Sequence, residues 1–297
     1  MIEGLDLLAL ISLAAVVLIG LPHGAMDGAV AMVSGYGQSR GQLVRFTLRY
    51  IAIAGLVVLV WFMIPVFSLT IFMLYSLVHF GLGDALPPKP KPEQAKPEQA
   101  KAEQTKRWYH IDPAYVVQII CHGGLVVVVI PIAHLTKVQP IFLVLTGGVE
   151  LAAFWTFLLA MVAVFVIAAV VYTIMAVMTP YLRWRWLECA GLAIALSLLP
   201  PLTGFALYFC VVHTPRHVSN VLKAVRAIMP DARVLPLTFG FTIITWLAMA
   251  AAVLMMRGPI SVDAAMIQVI FIGLAALTVP HMMLVDGVFR RKLTTMD

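Results

Sequence analysis

Apolar runs of close to twenty residues follow one another along almost the whole chain, and no other feature restricts its fold as strongly. A helix needs roughly 20 apolar residues to cross the hydrocarbon of a bilayer. Such runs stand at 6–22, 47–64, 66–83, 114–134, 152–178, 187–200, 203–222, 237–256 and 264–287. A backbone in hydrocarbon must satisfy its own hydrogen bonds, so the expected fold is all-α: a polytopic membrane bundle of about 8–10 transmembrane helices. Residues 1–297 read as a single integral-membrane domain. Composition agrees, with 62% hydrophobic and 11% charged residues, where soluble domains have about half and about a quarter. The formal charge of +6 then belongs to basic loops, and no nucleic-acid partner is expected. Cys121, Cys189 and Cys210 lie in apolar segments without C-x-x-C spacing and read as small core residues.

Prolines and charges divide the runs. The segments at 47–83 break around Pro65 and those at 187–222 around Pro200-Pro201, which makes each pair a helical hairpin. Residues 139–149 are too short to span and read as a re-entrant or interfacial piece. The opening "MIEGLDLLAL" carries Glu3 and Asp6 but no basic residue before its apolar run, so it reads as a retained first helix, not a signal peptide. Placing the N-terminus outside puts Arg40, Arg45 and Arg49 in the cytoplasm, together with the basic residues of 84–112, Arg183 and Arg185. Lys223, Arg226, Arg233, Arg290, Arg291 and Lys292 follow on that side. Only Lys137 and Arg257 remain outside, with Arg216 inside a helix. That asymmetry predicts an outside N-terminus and a cytoplasmic C-terminus in a multi-pass inner (plasma) membrane protein. The polar stretch 84–112 holds "KPEQA KPEQA KAEQT" at 91–105 and reads as a flexible cytoplasmic linker.

Against this background five histidines stand out: His23, His79, His213, His217 and His281 lie inside or at the ends of the apolar runs. Ionisable groups in hydrocarbon cost several kcal/mol and usually mark a functional site. In the orientation above, all five fall in the inner half of the bilayer, from four separate helices. His213 and His217 are spaced i, i+4 and share one helix face, an arrangement that offers two imidazoles to one metal ion. Imidazole suits Fe, Zn, Cu or Ni, so the spacing does not choose the element. Four imidazoles on an octahedral Fe(II) leave two positions open, whereas on Zn they fill a tetrahedron. Asp27, Asp84 and Asp286 follow histidines by four or five residues, either as carboxylates that orient an imidazole or as markers of helix ends. His122, beside Gly123-Gly124, is a further candidate for the site. Arg216 needs an acidic partner, with Asp27, Asp84 or Glu188 available, and Pro215 is expected to kink its helix.

The set "GLPHGAMD" (Gly20–Asp27), "LVHFG" (Leu77–Gly81), "HTPRH" (His213–His217) and "VPHMMLVD" (Val279–Asp286) resembles, in order and across the chain, the Brp/Blh family of membrane-embedded beta-carotene dioxygenases. The resemblance implies Fe(2+)-dependent cleavage of the central double bond of beta-carotene by dioxygen, giving two all-trans-retinal. It implies iron ligation by His23, His79, His213 and His217, with His281 in a further or supporting role. A retinal-binding rhodopsin is the implied product acceptor. A lipid-borne polyene reaches an intramembrane site laterally, and Tyr208, Phe209, Phe205, Tyr75, Phe80, Met26 and Met282 are candidates for the wall of its tunnel. Phe72, Trp155 and Met283 are further ones. Two alternatives stay open on the residues alone. One is a desaturase- or hydroxylase-type membrane iron enzyme, although no H-x-x-H-H cluster is present; the other is a non-enzymatic metal carrier or retinal-protein assembly factor.

Overall fold

The computed structural model describes residues 4–85, 112–226, 231–256 and 260–285, all of them helix or helix connection apart from one isolated bridge residue. The 91–105 repeat, most of the linker around it and Asp286 lie outside these residues. The helices are α1 (Leu7–Val33), α2 (Arg40–Met63), α3 (Pro65–Asp84), α4 (Pro113–Ala133), α5 (Leu135–Leu145), α6 (Ala152–Met178), α7 (Arg183–Leu198), α8 (201–226), α9 (Asp231–Met256) and α10 (Val262–Leu284). Among the described residues seven are long and apolar enough to cross a membrane: α1, α2, α3, α4, α6, α9 and α10.

Local chemistry sets the ends. The Asp6 carboxylate caps α1 by accepting from the Ala9 amide at 2.7 Å. Ser39 and Gln42 form a reciprocal capping box that starts α2 at Arg40, seven residues before its apolar run. Pro65 and Pro201 occupy first-turn positions, where their missing N–H costs nothing, and so separate the two hairpins where expected. The first helix was expected to stop at residue 22, but it continues to Val33. Pro22 is accommodated by a widened π turn at Val16–Gly20 and a tight 3-10 turn at Leu21–Met26. The same device recurs twice. Leu125–Val129 widens before Pro131 and Tyr208–His213 before Pro215, in each case because the proline can neither donate to the preceding turn nor fit against its carbonyl. The kink expected at Pro215 therefore takes the form of a π turn carrying His213.

The bundle turns apolar side chains outward and encloses a group of polar residues within an otherwise apolar core. The apolar stretches of α2 and α9 are only 6% buried, with side chains such as Leu48, Leu59, Leu247 and Met255 pointing outward. The buried polar residues instead include His23, Asp27, His79, Asp84, His122, His213, His217 and His281. This distribution suits a hydrocarbon surround, where outward apolar surface costs nothing and every polar group needs an internal partner.

Two features fix the helices around that interior. A Cβ on Gly81 would strike the Ile119 carbonyl, and one on Gly123 would strike the Leu77 backbone, so α3 and α4 touch main chain to main chain. The short helix α5, the region expected to be re-entrant or interfacial, is held at its C-terminal carbonyls. Trp61 Nε1 donates to the Leu145 carbonyl at 2.8 Å and Gln268 Nε2 to that of Val144 at 2.6 Å, while Gly148, at φ 83°, closes the turn by donating its N–H to the Leu143 carbonyl at 2.8 Å.

These contacts predict a contrast between glycines. Gly123→Val should lower the unfolding free energy by about 1–3 kcal/mol or prevent recovery of monodisperse protein. Gly55→Ala, whose added methyl meets nothing within 4 Å, should be neutral in the same thermal melt. Equal melting temperatures for the two variants would contradict the backbone contact between α3 and α4.

Candidate metal centre

Five imidazoles converge where α1, α3, α8 and α10 meet. His23 sits on the 3-10 turn of α1, His79 one turn from the end of α3, His213 on the π turn of α8, His217 one turn later, and His281 directly after Pro280 in α10. None is more than 8% exposed. Ring centres lie 5.5 Å apart for His23–His281, 5.2 Å for His79–His281, 4.9 Å for His79–His213, 5.2 Å for His23–His217 and 5.0 Å for His217–His281. The ligand nitrogens of His23, His79 and His281 lie within 4.8 Å of one another, and His79 Nε2 faces His213 Nε2 at 3.2 Å. Small residues make the room. A Cβ on Gly83 would come within 2.9 Å of the His213 ring, and one on Gly20 would overlap the Phe209 ring.

The outer nitrogens of His23, His281 and His213 are held, the first within its own helix and the other two by carboxylates on other helices. His23 Nδ1 donates to the Gly20 carbonyl. His281 Nδ1 donates to both Asp27 oxygens, at 2.8 and 3.0 Å. Tyr50 in turn donates its hydroxyl to Asp27 at 2.8 Å and reaches the Leu277 carbonyl at 3.1 Å. His213 Nδ1 faces Asp84 Oδ2 at 3.3 Å, and that carboxylate also accepts from the Tyr208 hydroxyl at 2.8 Å and from Arg216 at 3.4 Å. Arg216 also pairs with Glu188, which accepts from Arg185 at 2.9 Å. Two of the three acidic partners foreseen for Arg216 are therefore its actual ones. The Asp84 charge is offset by a cation and two hydrogen-bonding neighbours, as a carboxylate withdrawn from water requires.

The carboxylates do not serve the histidines nearest to them in sequence. Asp27 was placed beside His23, but a 3-10 turn advances about 120° per residue, so four residues on it points elsewhere and meets His281 of α10. Asp84 lies five residues, about 140°, round α3 from His79 and meets His213 of α8. His122 is fully buried, yet its ring is packed against Tyr172 at 6.2 Å between centres and does not border the cavity at the histidines. Its carbonyl accepts from Tyr208 at 3.2 Å.

An apolar cavity of about 300 Å³ opens onto His23, His79, His281 and Asp27. Phe72, Phe80, Phe205 and Phe209 line it, and so does Tyr50, which sequence reasoning missed because a tyrosine in an apolar helix gives no signal of its own. The other tunnel candidates lie off the wall. The Tyr208 hydroxyl is turned to Asp84, and Met26 packs among Ala29, Val30 and Val225. Tyr75 is half-buried away from the cavity, and Met282 points about 100° round α10 from His281. Trp155 packs on Phe142 and Phe154, and Met283 is exposed.

Comparison with known proteins agrees in extent with this arrangement, which runs from the first described helix to the last. The family model described as beta-carotene 15,15'-dioxygenase matches residues 14–288. A beta-carotene 15,15'-dioxygenase of uncultured marine bacterium 66A03 is 33% identical over 291 residues, covering 97% of this chain and 96% of that protein. No solved structure matches the chain. Both matches span the four histidine-bearing helices and the cavity between them, and the chain belongs to the beta-carotene 15,15'-dioxygenase family, as an enzyme of that family.

Proposed function

We propose that the chain cleaves the central double bond of beta-carotene with dioxygen at an iron held in the histidine cluster, giving two all-trans-retinal. The observation that carries this is the opening of an apolar cavity, set among helices long and apolar enough to cross a membrane, directly onto buried imidazole nitrogens. The donor set fits Fe(II). Neutral imidazoles are borderline ligands suited to iron, and facing nitrogens at 3.2 Å are spaced as neighbouring ligands of one ion would be. His23, His79, His213 and His217 are the ligands implied by family resemblance, and the closeness of His281 to His23 and His79 adds it to the set. Bound iron would supply activation of dioxygen.

The chain's own residues do the rest. Asp27, Asp84 and the Gly20 carbonyl hold the outer nitrogens and so aim the inner ones. The phenylalanine-lined wall keeps water out and accepts a hydrocarbon without desolvation cost. In the overall change one carbon–carbon double bond breaks, each end gains one oxygen atom, and no further reductant is consumed. A retinal-binding rhodopsin suits the hydrophobic product as acceptor.

For topology we propose an outside N-terminus and a cytoplasmic C-terminus in the inner membrane, with 84–112 as a cytoplasmic linker. The basic-residue bias supports this. Adding the α7–α8 hairpin to the seven long helices gives an odd number of crossings, which such a topology needs.

Purified protein supplied with beta-carotene and dioxygen should yield retinal and contain one iron per chain. Iron-loaded protein that leaves the carotene intact would refute the activity, and two irons per chain would favour the desaturase or hydroxylase type. His79→Ala and His213→Ala should each lose turnover and most bound iron. Asp27→Asn should weaken iron binding about 10–100-fold, measured by competition with a chelator. Unchanged affinity there would separate Asp27 from the metal. A C-terminal green fluorescent fusion should glow and a C-terminal alkaline phosphatase fusion stay inactive; the reverse pattern would invert the topology.

A further inference from the structure

The cavity has one rim and one floor. Among the described residues on its wall, Ile51 of α2 and Ile244 of α9 are the two most exposed on the outside of the protein, at 58% and 61%. A residue that both faces lipid and borders the interior marks an opening, and these two come from the pair of helices least buried in the bundle. The opening lies at the level of the histidines. Tyr50, next to Ile51, touches Asp27 and the Leu277 carbonyl, and Gly28, next to Asp27, abuts the Phe241 ring near Ile244.

Away from the rim the cavity runs into the bundle and stops. Leu69 lies ten residues before His79 on α3, and Phe271 ten before His281 on α10, and both border the cavity. Two helices thus carry its wall about 15 Å beyond the histidines. The far end is closed by Leu69, Phe142 and Leu145, none more than 7% exposed. It is a firm floor, because the carbonyls ending α5 are pinned by Trp61 and Gln268.

We propose that this limb is a one-ended ruler: one half of the carotene threads through the Ile51–Ile244 opening until its ring meets the α5 floor, which sets the central double bond at the histidines. The other half remains toward the opening and the bilayer. Central cleavage then follows from limb depth and not from any recognition of the central bond, since both halves of the polyene are chemically alike. This rests on the carotene-cleaving reading above and adds the source of its regiochemistry.

The test compares substrates and variants under one assay, with products resolved by length. A carotenoid bearing a hexose on one ring should be cut at the central bond, whereas one bearing a hexose on both rings should not be cut. Phe142→Ala, which deepens the limb, should add apocarotenals of unequal length to the retinal product. Ile51→Trp with Ile244→Trp should lower kcat/KM for beta-carotene about tenfold or more with bound iron unchanged, while Met255→Trp, three turns along the same outer face of α9, leaves it at the wild-type value. Central cleavage of the doubly capped substrate, or retinal alone from correctly folded Phe142→Ala protein, would overturn the ruler. No cleavage of unmodified beta-carotene by the wild type would overturn the activity on which it depends, and the ruler with it.

Discussion

Polar groups in hydrocarbon have no water to turn to, and this single constraint organises the molecule. Five imidazoles and two carboxylates sit inside a bundle whose long helices turn large apolar side chains outward. Both carboxylates find their partners on other helices, so these bonds are also ties between helices: Asp27 of α1 with His281 of α10 and Tyr50 of α2, and Asp84 of α3 with His213, Tyr208 and Arg216 of α8. The same bonds that make burial tolerable therefore set the relative positions of the helices and the aim of the rings.

The backbone contributes through its irregularities. Three π turns precede prolines, and two of them lie beside ligand candidates, in α1 next to His23 and in α8 at His213. Widened turns shift the register of a helix face by part of a turn, which lets one helix pack regularly at one end and present imidazoles at the other. Glycines at 20, 81, 83 and 123 supply the matching clearances, two for rings and two for main-chain contact between α3 and α4. Packing and site thus use one set of small residues and prolines.

Much of this was legible in the sequence, and the reasons for the rest are physical. Apolar run length gave the helical bundle, and Pro65 and Pro200-Pro201 gave its hairpins, because span length and proline sterics are local properties. The five histidines were visible as anomalies, and helix period plus charge bias placed them at one level. What period alone misjudged was angle. Asp27 was paired with His23 by sequence distance, yet a 3-10 turn sends it to His281. Tyr50 and Ile51 were invisible because their roles arise only when α2 is set against α1, α9 and α10. Tyr208 was expected on the tunnel wall and instead spends its hydroxyl on Asp84.

The proposed chemistry requires a single ion held by the imidazoles that border the cavity. X-ray absorption at the iron edge of purified, carotene-free protein tests it most directly. The result predicted is one iron per chain with a first shell of nitrogen and the outer-shell scattering pattern of at least three imidazoles. A first shell dominated by sulfur or carboxylate oxygen, or iron bound without imidazole scattering, would contradict it.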